Sequence, residues 1–149
     1  MLTRGGTVRL QIHSNFELLD FVQVVSDRMG QLAGLDEDAI HWIGVAVRES
    51  VINAIKHGNC HDIGKRVYVE FTSLQDGGRP GIAIVVRDEG RGFDPAILAN
   101  PLAPENLLKT HGRGIFLMRS FMDEMTFERG EQGGMQVRMV KRVDQSTLA

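Results

Sequence analysis

A single cysteine, Cys60, stands in 149 residues. One cysteine cannot build an internal disulfide framework, and its scarcity fits a reducing compartment. No run approaches the ~18 consecutive apolar residues needed to span a bilayer, and the opening segment MLTRGGTVRLQIHS lacks the apolar core of a secretory signal. A cytoplasmic location without membrane contact is therefore expected. There is no strong charge of either sign: 17 basic and 19 acidic residues leave a formal net charge of −2, without the basic footprint of a nucleic-acid binder. A G-x-x-x-x-G-K-[ST] loop is absent, and so is G-x-G-x-x-G, which excludes a Walker site and the usual dinucleotide and protein-kinase loops. The five histidines, His13, His41, His57, His61 and His111, show no metal-binding spacing. Cys60 has no neighbouring base in sequence, so a catalytic thiol is not indicated.

The totals that remain are globular: 42% hydrophobic and 24% charged residues in a length typical of one domain. Thr7 to Ser14 alternates, with Val8, Leu10 and Ile12 on one face, as a half-buried strand does. A helix is expected from Phe16 to about Ala33, capped by Ser14 or Asn15 and stopped by Gly34. Asp36 caps a second helix from about Glu37 to His57, which Gly58-Asn59 ends. On a 100° wheel, Ile40, Ile43, Val47, Val51, Ala54 and Ile55 form its core stripe. Glu49, Asn53 and Lys56 fall on nearly the opposite side. Trp42, Val45, Ala46 and Ile52 flank them, so that surface is semi-apolar and wants a cover.

Val67 to Ser73 reads as a strand, 75–80 as a turn, and Ile82 to Arg87 as a central strand buried on both faces. Residues 91–111 hold Pro95, Pro101 and Pro104 in a long, weakly structured connection. A helix over Arg113 to Met122 and a closing hairpin, Met125 to Arg129 with Met135 to Arg142, complete the chain. The order strand–helix–helix–strand–strand–loop–helix–strand–strand predicts one α+β domain over residues 1–149. It would be a two-layer sandwich with helices on one face of a mixed, largely antiparallel sheet.

Three segments carry chemistry. In Glu49-Ser-Val-Ile-Asn53-Ala-Ile-Lys56-His57-Gly58, a carboxylate and a carboxamide sit one helical turn apart. The Asn53 carbonyl oxygen suits a hard cation such as Mg²⁺, which needs few protein ligands beside phosphate oxygens. Glu49 can accept a proton from an attacking hydroxyl, Lys56 can place a cation near phosphate, and His57 lies near phosphate or caps the helix end. In Asp88-Glu-Gly90-Arg-Gly92-Phe93, Asp88 follows a buried strand and needs a donor partner, such as an adenine amino group. Gly90 and Gly92 let backbone approach a flat ring. In Gly112-Arg113-Gly114, glycines open a helix whose N–H groups favour anions, and Arg113 can bond phosphate. Each segment alone also has an ordinary reading: a surface Glu with a capping Asn, a turn ending a strand, a loop–helix junction.

Together and in this order, the segments resemble the GHKL superfamily of ATPases and kinases, across essentially the whole chain. Glu49 to Gly58 matches the N-box, Asp88 to Gly92 the first glycine box and Gly112 to Gly114 the second. The resemblance implies a Bergerat-type ATP-binding fold, with Asn53 on Mg²⁺, Asp88 on adenine and about 91–111 as the ATP lid. The short chain, with E-S-V-I-N-A-I-K-H-G, D-E-G-R-G-F-D-P and G-R-G-I-F-L-M-R-S-F-M-D, most resembles bacterial anti-sigma factor serine-protein kinases. That implies ATP and ADP as ligands, a serine of an anti-sigma-factor antagonist protein as substrate, and Glu49 as general base. It also implies a sigma factor as second partner, a role in transcription regulation, and a homodimer. One departure is visible: Met135-Gln136 follows Gly133-Gly134, where the superfamily often has Thr. A nucleotide-gated partner-binding module with little or no kinase activity is the alternative.

Overall fold

The computed structural model describes residues 6–75, 78–90, 118–130 and 133–144. Gly92, Gly112, Arg113, Gly114 and the 91–111 lid lie outside the described residues, so the positions expected of them rest on sequence.

The chain starts with β1 (Thr7–His13), whose Leu10 and Ile12 are half-buried while Val8 lies largely open at the sheet edge. Asn15 caps a short 3₁₀ turn, Phe16–Leu18, which leads into α1 (Leu19–Leu32). Gly34 ends that helix segment at φ 82°, a left-handed conformation glycine adopts without a Cβ penalty. Asp36 then caps α2 (Glu37–Asn53), its side chain accepting from the Ala39 N–H at 2.8 Å. β2 (Arg66–Leu74) and β3 (Gly81–Asp88) form a hairpin, and β4 (Glu124–Arg129) and β5 (Met135–Arg142) another. Residues 118–121 are helical, the end of the helix expected before the second hairpin.

The five strands form one sheet in the order β1-β2-β3-β5-β4. Every pairing among the described residues is antiparallel. Strand parity divides its faces. Val67, Val69 and Phe71 of β2, Ile82, Ile84 and Val86 of β3, and Val137 and Met139 of β5 point to the helix layer. There they meet Leu19, Val22 and Met29 of α1 and Ile43, Val47 and Val51 of α2. Each large side chain buried here contributes on the order of 2 kcal/mol. The other face of β3 is less covered than a strand buried on both faces requires: Ala83 is buried, but Val85 and Arg87 are half-buried. No helix among the described residues is long and apolar enough to cross a membrane.

Candidate functional site

The site grows from the end of α2. The expected helix to His57 does not run as one α-helix: the α-helical part stops at Asn53, and Ala54–Gly58 form a π turn. The Asn59 N–H reaches back to the Ala54 carbonyl at 2.7 Å, closing the wider ring. Such turns insert one residue and redirect the helix end, and they recur at functional sites. Cys60 and His61 follow with φ of 51° and 60°, two non-glycine residues in the left-handed region.

Asn53 does not lie opposite the core. Only 3% exposed, it is at the edge of the buried stripe beside Ala46 and Ser50, and its Oδ1 has no hydrogen-bond partner among the described residues. A buried carbonyl oxygen without a donor is costly unless something outside the protein binds it. Its chemistry is that of a Mg²⁺ ligand, so the residue fits the cation it was expected to hold. Glu49, one turn earlier, is half-buried, as is Lys56, while His57 is exposed. The cover expected over this side is supplied in part by the helical residues 118–121. Ser50 Oγ donates to Met118 Sδ at 3.8 Å and Met139 Sδ at 3.7 Å, and Trp42 packs against Phe121 with ring centroids 6.3 Å apart.

Asp88 shares the parity of Ile82, Ile84 and Val86, so its carboxylate points into the helix layer, where it is 1% exposed. Oδ1 accepts from the backbone N–H groups of Gly90 at 2.9 Å and Met135 at 3.2 Å. No described residue donates to Oδ2, which leaves an acceptor for a ligand amino group. The carboxylate borders a cavity of about 10 Å³, room for one water, lined with Ser50, Ala54, Val86, Met135 and Val137. A larger hollow of about 540 Å³, lined by Arg9, Tyr68, Glu70 and Arg87 among others, lies on the opposite face of the sheet and includes no candidate site residue.

The glycines of this region serve packing. A Cβ on Gly90 would lie 1.6 Å from the Gly58 carbonyl oxygen. One on Gly58 would lie 2.1 Å from Asp88 Oδ2, and one on Gly134 2.3 Å from the Asp88 carbonyl oxygen. Gly90 is required here for close approach to the π turn. Beyond the helix end expected at Gly58-Asn59, the sequence indicates no role in the site for Gly58, Asn59 or Gly134. The only local signals for them were the H-G-N run after the helix and the glycine pair, whose φ values of 88° and 78° at Gly133 and Gly134 swing β5 into place. The side chain at position 135 does not reach Asp88 by a hydrogen bond; its backbone N–H does.

Burial raises the Asp88 pKa above the ordinary 3.8. The Gly90 and Met135 N–H groups and the positive charges of Lys65 and Arg87 offset this only in part. The folded protein therefore holds a proton that the unfolded chain releases. This contribution to stability is fully present below pH 3.8 and is lost as pH rises through the raised value. A ligand amino group bonds the ionised carboxylate more strongly than the neutral acid. ATP affinity is expected to fall as pH is lowered through that value, while the fold gains stability over the same window. Calorimetric titration with ATP and thermal unfolding across acid pH check both trends, and Asp88→Asn should show neither.

Comparison with known proteins places these residues in a context. Residues 14–141 match the model of the histidine kinase-like ATPase domain family. The serine-protein kinases RsbW of Staphylococcus aureus strains JH9, Newman and USA300 are each 27% identical to this chain, over 96% of its length and 91% of theirs.

Proposed function

The chain belongs to the histidine kinase-like ATPase domain family, and from that premise we propose that it is an ATP-dependent serine-protein kinase of the anti-sigma factor type. Its substrate would be a serine on an anti-sigma-factor antagonist, its second partner a sigma factor, and its working form a cytoplasmic homodimer. The observation that carries this reading is the buried Asn53 Oδ1 without a donor among the described residues, one turn from Glu49. Similarity to serine-protein kinases over 96% of the chain supports the substrate class.

In this reading Asp88 Oδ2 accepts from the adenine amino group, and Gly58, Gly90 and Gly134 hold that carboxylate in place. Asn53 Oδ1 would hold Mg²⁺, which neutralises charge on the phosphate oxygens. Glu49 takes the proton of the serine hydroxyl as its oxygen attacks the γ-phosphorus. The bond from that phosphorus to the β,γ-bridging oxygen breaks, and ADP leaves with the electron pair. Lys56 places positive charge near the phosphates. Gly92 would lie against the adenine ring, and Gly112, Arg113 and Gly114 would complete the phosphate side. A specific observation favours the second reading, a nucleotide-gated binding module with little turnover: Met135 offers Asp88 a backbone N–H and no hydroxyl.

Isothermal titration with ATP and ADP, with and without Mg²⁺, tests the site. Asn53→Ala is expected to lose the Mg²⁺-dependent part of ATP binding, at least about tenfold, or about 1.4 kcal/mol. It should unfold close to the wild-type midpoint, because the amide oxygen removed has no donor among the described residues. Full Mg²⁺-dependent affinity in this variant would remove Asn53 from the site.

A further inference from the structure

Two ends of the site sit on different elements. The Asn53 carboxamide is on the last α-helical turn of α2, and the Asp88 carboxylate ends β3. A ligand that spans both gains from both contacts only when their separation matches its own length. Taking the ATP–Mg²⁺ reading as its basis, we propose that Asn59 is the positioning residue that sets this separation.

Asn59 is wholly buried, and both polar atoms of its side chain are hydrogen-bonded. Nδ2 donates to Ser14 Oγ at 2.9 Å and to the Arg66 carbonyl at 3.0 Å, and Oδ1 accepts from the Glu89 N–H at 2.8 Å. One amide thereby ties together the exit of β1, the entry to β2 and the residue after Asp88. Ser14 is itself fixed by donating to the Lys65 carbonyl at 2.9 Å. The Asn59 backbone N–H closes the π turn on Ala54, the residue after Asn53. Through its main chain Asn59 therefore holds the metal end, and through its side chain the base end.

Its neighbours act in the same sense. The Gly58 carbonyl abuts Gly90, and Gly58 Cα abuts the Asp88 carboxylate. Glu89 is anchored in turn, accepting from the Arg66 N–H and the Tyr68 hydroxyl. The segment Asp88–Gly90 is thus clamped on both sides, and the Asn59 amide is the member of the clamp that reaches three strands. Asn59 touches no reacting atom; it acts through Asp88 and the π turn.

A change in spacing penalises ligands that use both ends and spares those that use one. ATP with Mg²⁺ uses both, and adenosine uses the base end alone. For Asn59→Ala in the full chain, calorimetry should show ATP–Mg²⁺ affinity reduced at least about tenfold. Ligand-observed NMR should show adenosine affinity changed by less than about threefold. Ser14→Ala removes one acceptor of the clamp and leaves residue 59 intact. It should move ATP–Mg²⁺ affinity in the same direction by about two- to threefold. Equal losses for the two ligands would overturn the proposal, since a generally loosened fold weakens both alike; so would undiminished ATP–Mg²⁺ affinity. If Asn59→Ala does not fold, Ser14→Ala decides: ATP–Mg²⁺ should weaken about two- to threefold while adenosine binds as to the wild type, and equal losses would overturn the proposal. A wild-type chain that binds neither ligand fails earlier: it sinks the ATP-site reading, and the positioning role falls with it.

Discussion

Replacing Glu49 with alanine is expected to slow phosphoryl transfer to the protein substrate by about 10²–10⁴-fold, the usual contribution of a positioned general base. ATP–Mg²⁺ affinity should stay within about threefold of wild type, because the proposed nucleotide contacts come from Asn53, Asp88 and the glycine-rich segments. The separation follows from α2. Glu49 is flanked along the helix by Ala46, Val47, Ser50 and Val51, all buried in the core, so its backbone is rigidly placed and truncation removes chemistry without moving Asn53. Transfer of label from γ-labelled ATP under single-turnover conditions, set beside calorimetry, checks the two halves. Undiminished transfer would remove Glu49 from the chemistry. If transfer is undetectable in the wild type as well while ATP still binds, the nucleotide-gated module becomes the better reading.

Gly90→Ala is expected to have the largest effect on the fold. The new Cβ would sit 1.6 Å from the Gly58 carbonyl oxygen and 2.3 Å from its carbon. Both obstacles are main chain, so no rotamer change relieves the clash, and either the end of β3 or the π turn must shift. Overpacking on this scale costs about 3 kcal/mol. In a domain of this size that lowers the unfolding midpoint by roughly 10 °C. The same shift moves the N–H that Gly90 donates to Asp88 Oδ1, so nucleotide affinity should fall with stability. Gly58→Ala differs in kind. Its obstacle is the Asp88 side chain, with Oδ2 at 2.1 Å, Cγ at 2.2 Å and Cβ at 2.8 Å; the carboxylate can turn away, and the main chain has to give only for the Cβ contact. That variant should lose more ATP affinity for less destabilisation. Thermal unfolding followed by circular dichroism, with calorimetry on the same samples, distinguishes the two patterns.

Much of the site was legible because its signals are local. The spacing of Glu49 and Asn53 is a property of any α-helix, and α2 keeps both on its last turns. Asp88 follows the strand read as buried over Ile82 to Arg87, which implied a carboxylate in need of a donor partner, and the structure buries it. Asp36, Gly34 and the apolar stripe of α2 acted as their chemistry dictates. Other features were not legible. The wheel set Asn53 with Glu49 and Lys56 away from the core, because it treats the helix as facing one neighbour. In the structure α2 also meets the 118–121 helix through Ser50 and Met118, so it has more than one covered side, and Asn53 is 3% exposed. The helix was carried on to His57 because nothing in Ala54–Gly58 marks a π turn, which is closed by a bond to Asn59 beyond the helix.

By itself, then, the sequence determined the kind and order of the elements, the side-chain pairs one helical turn apart, the place of Asp88 at the end of a buried strand and the family to which these motifs belong. All of these depend on residues close together along the chain or on a residue type at a given spacing. Only the tertiary structure decided that Gly58 meets Gly90, that Asn53 Oδ1 is buried without a donor among the described residues, that Asn59 ties together the ends of three strands, and that the strands run β1-β2-β3-β5-β4. The physical reason is that close backbone contact and the saturation of buried polar groups depend on which distant segments arrive at the same place, and no local periodicity encodes that.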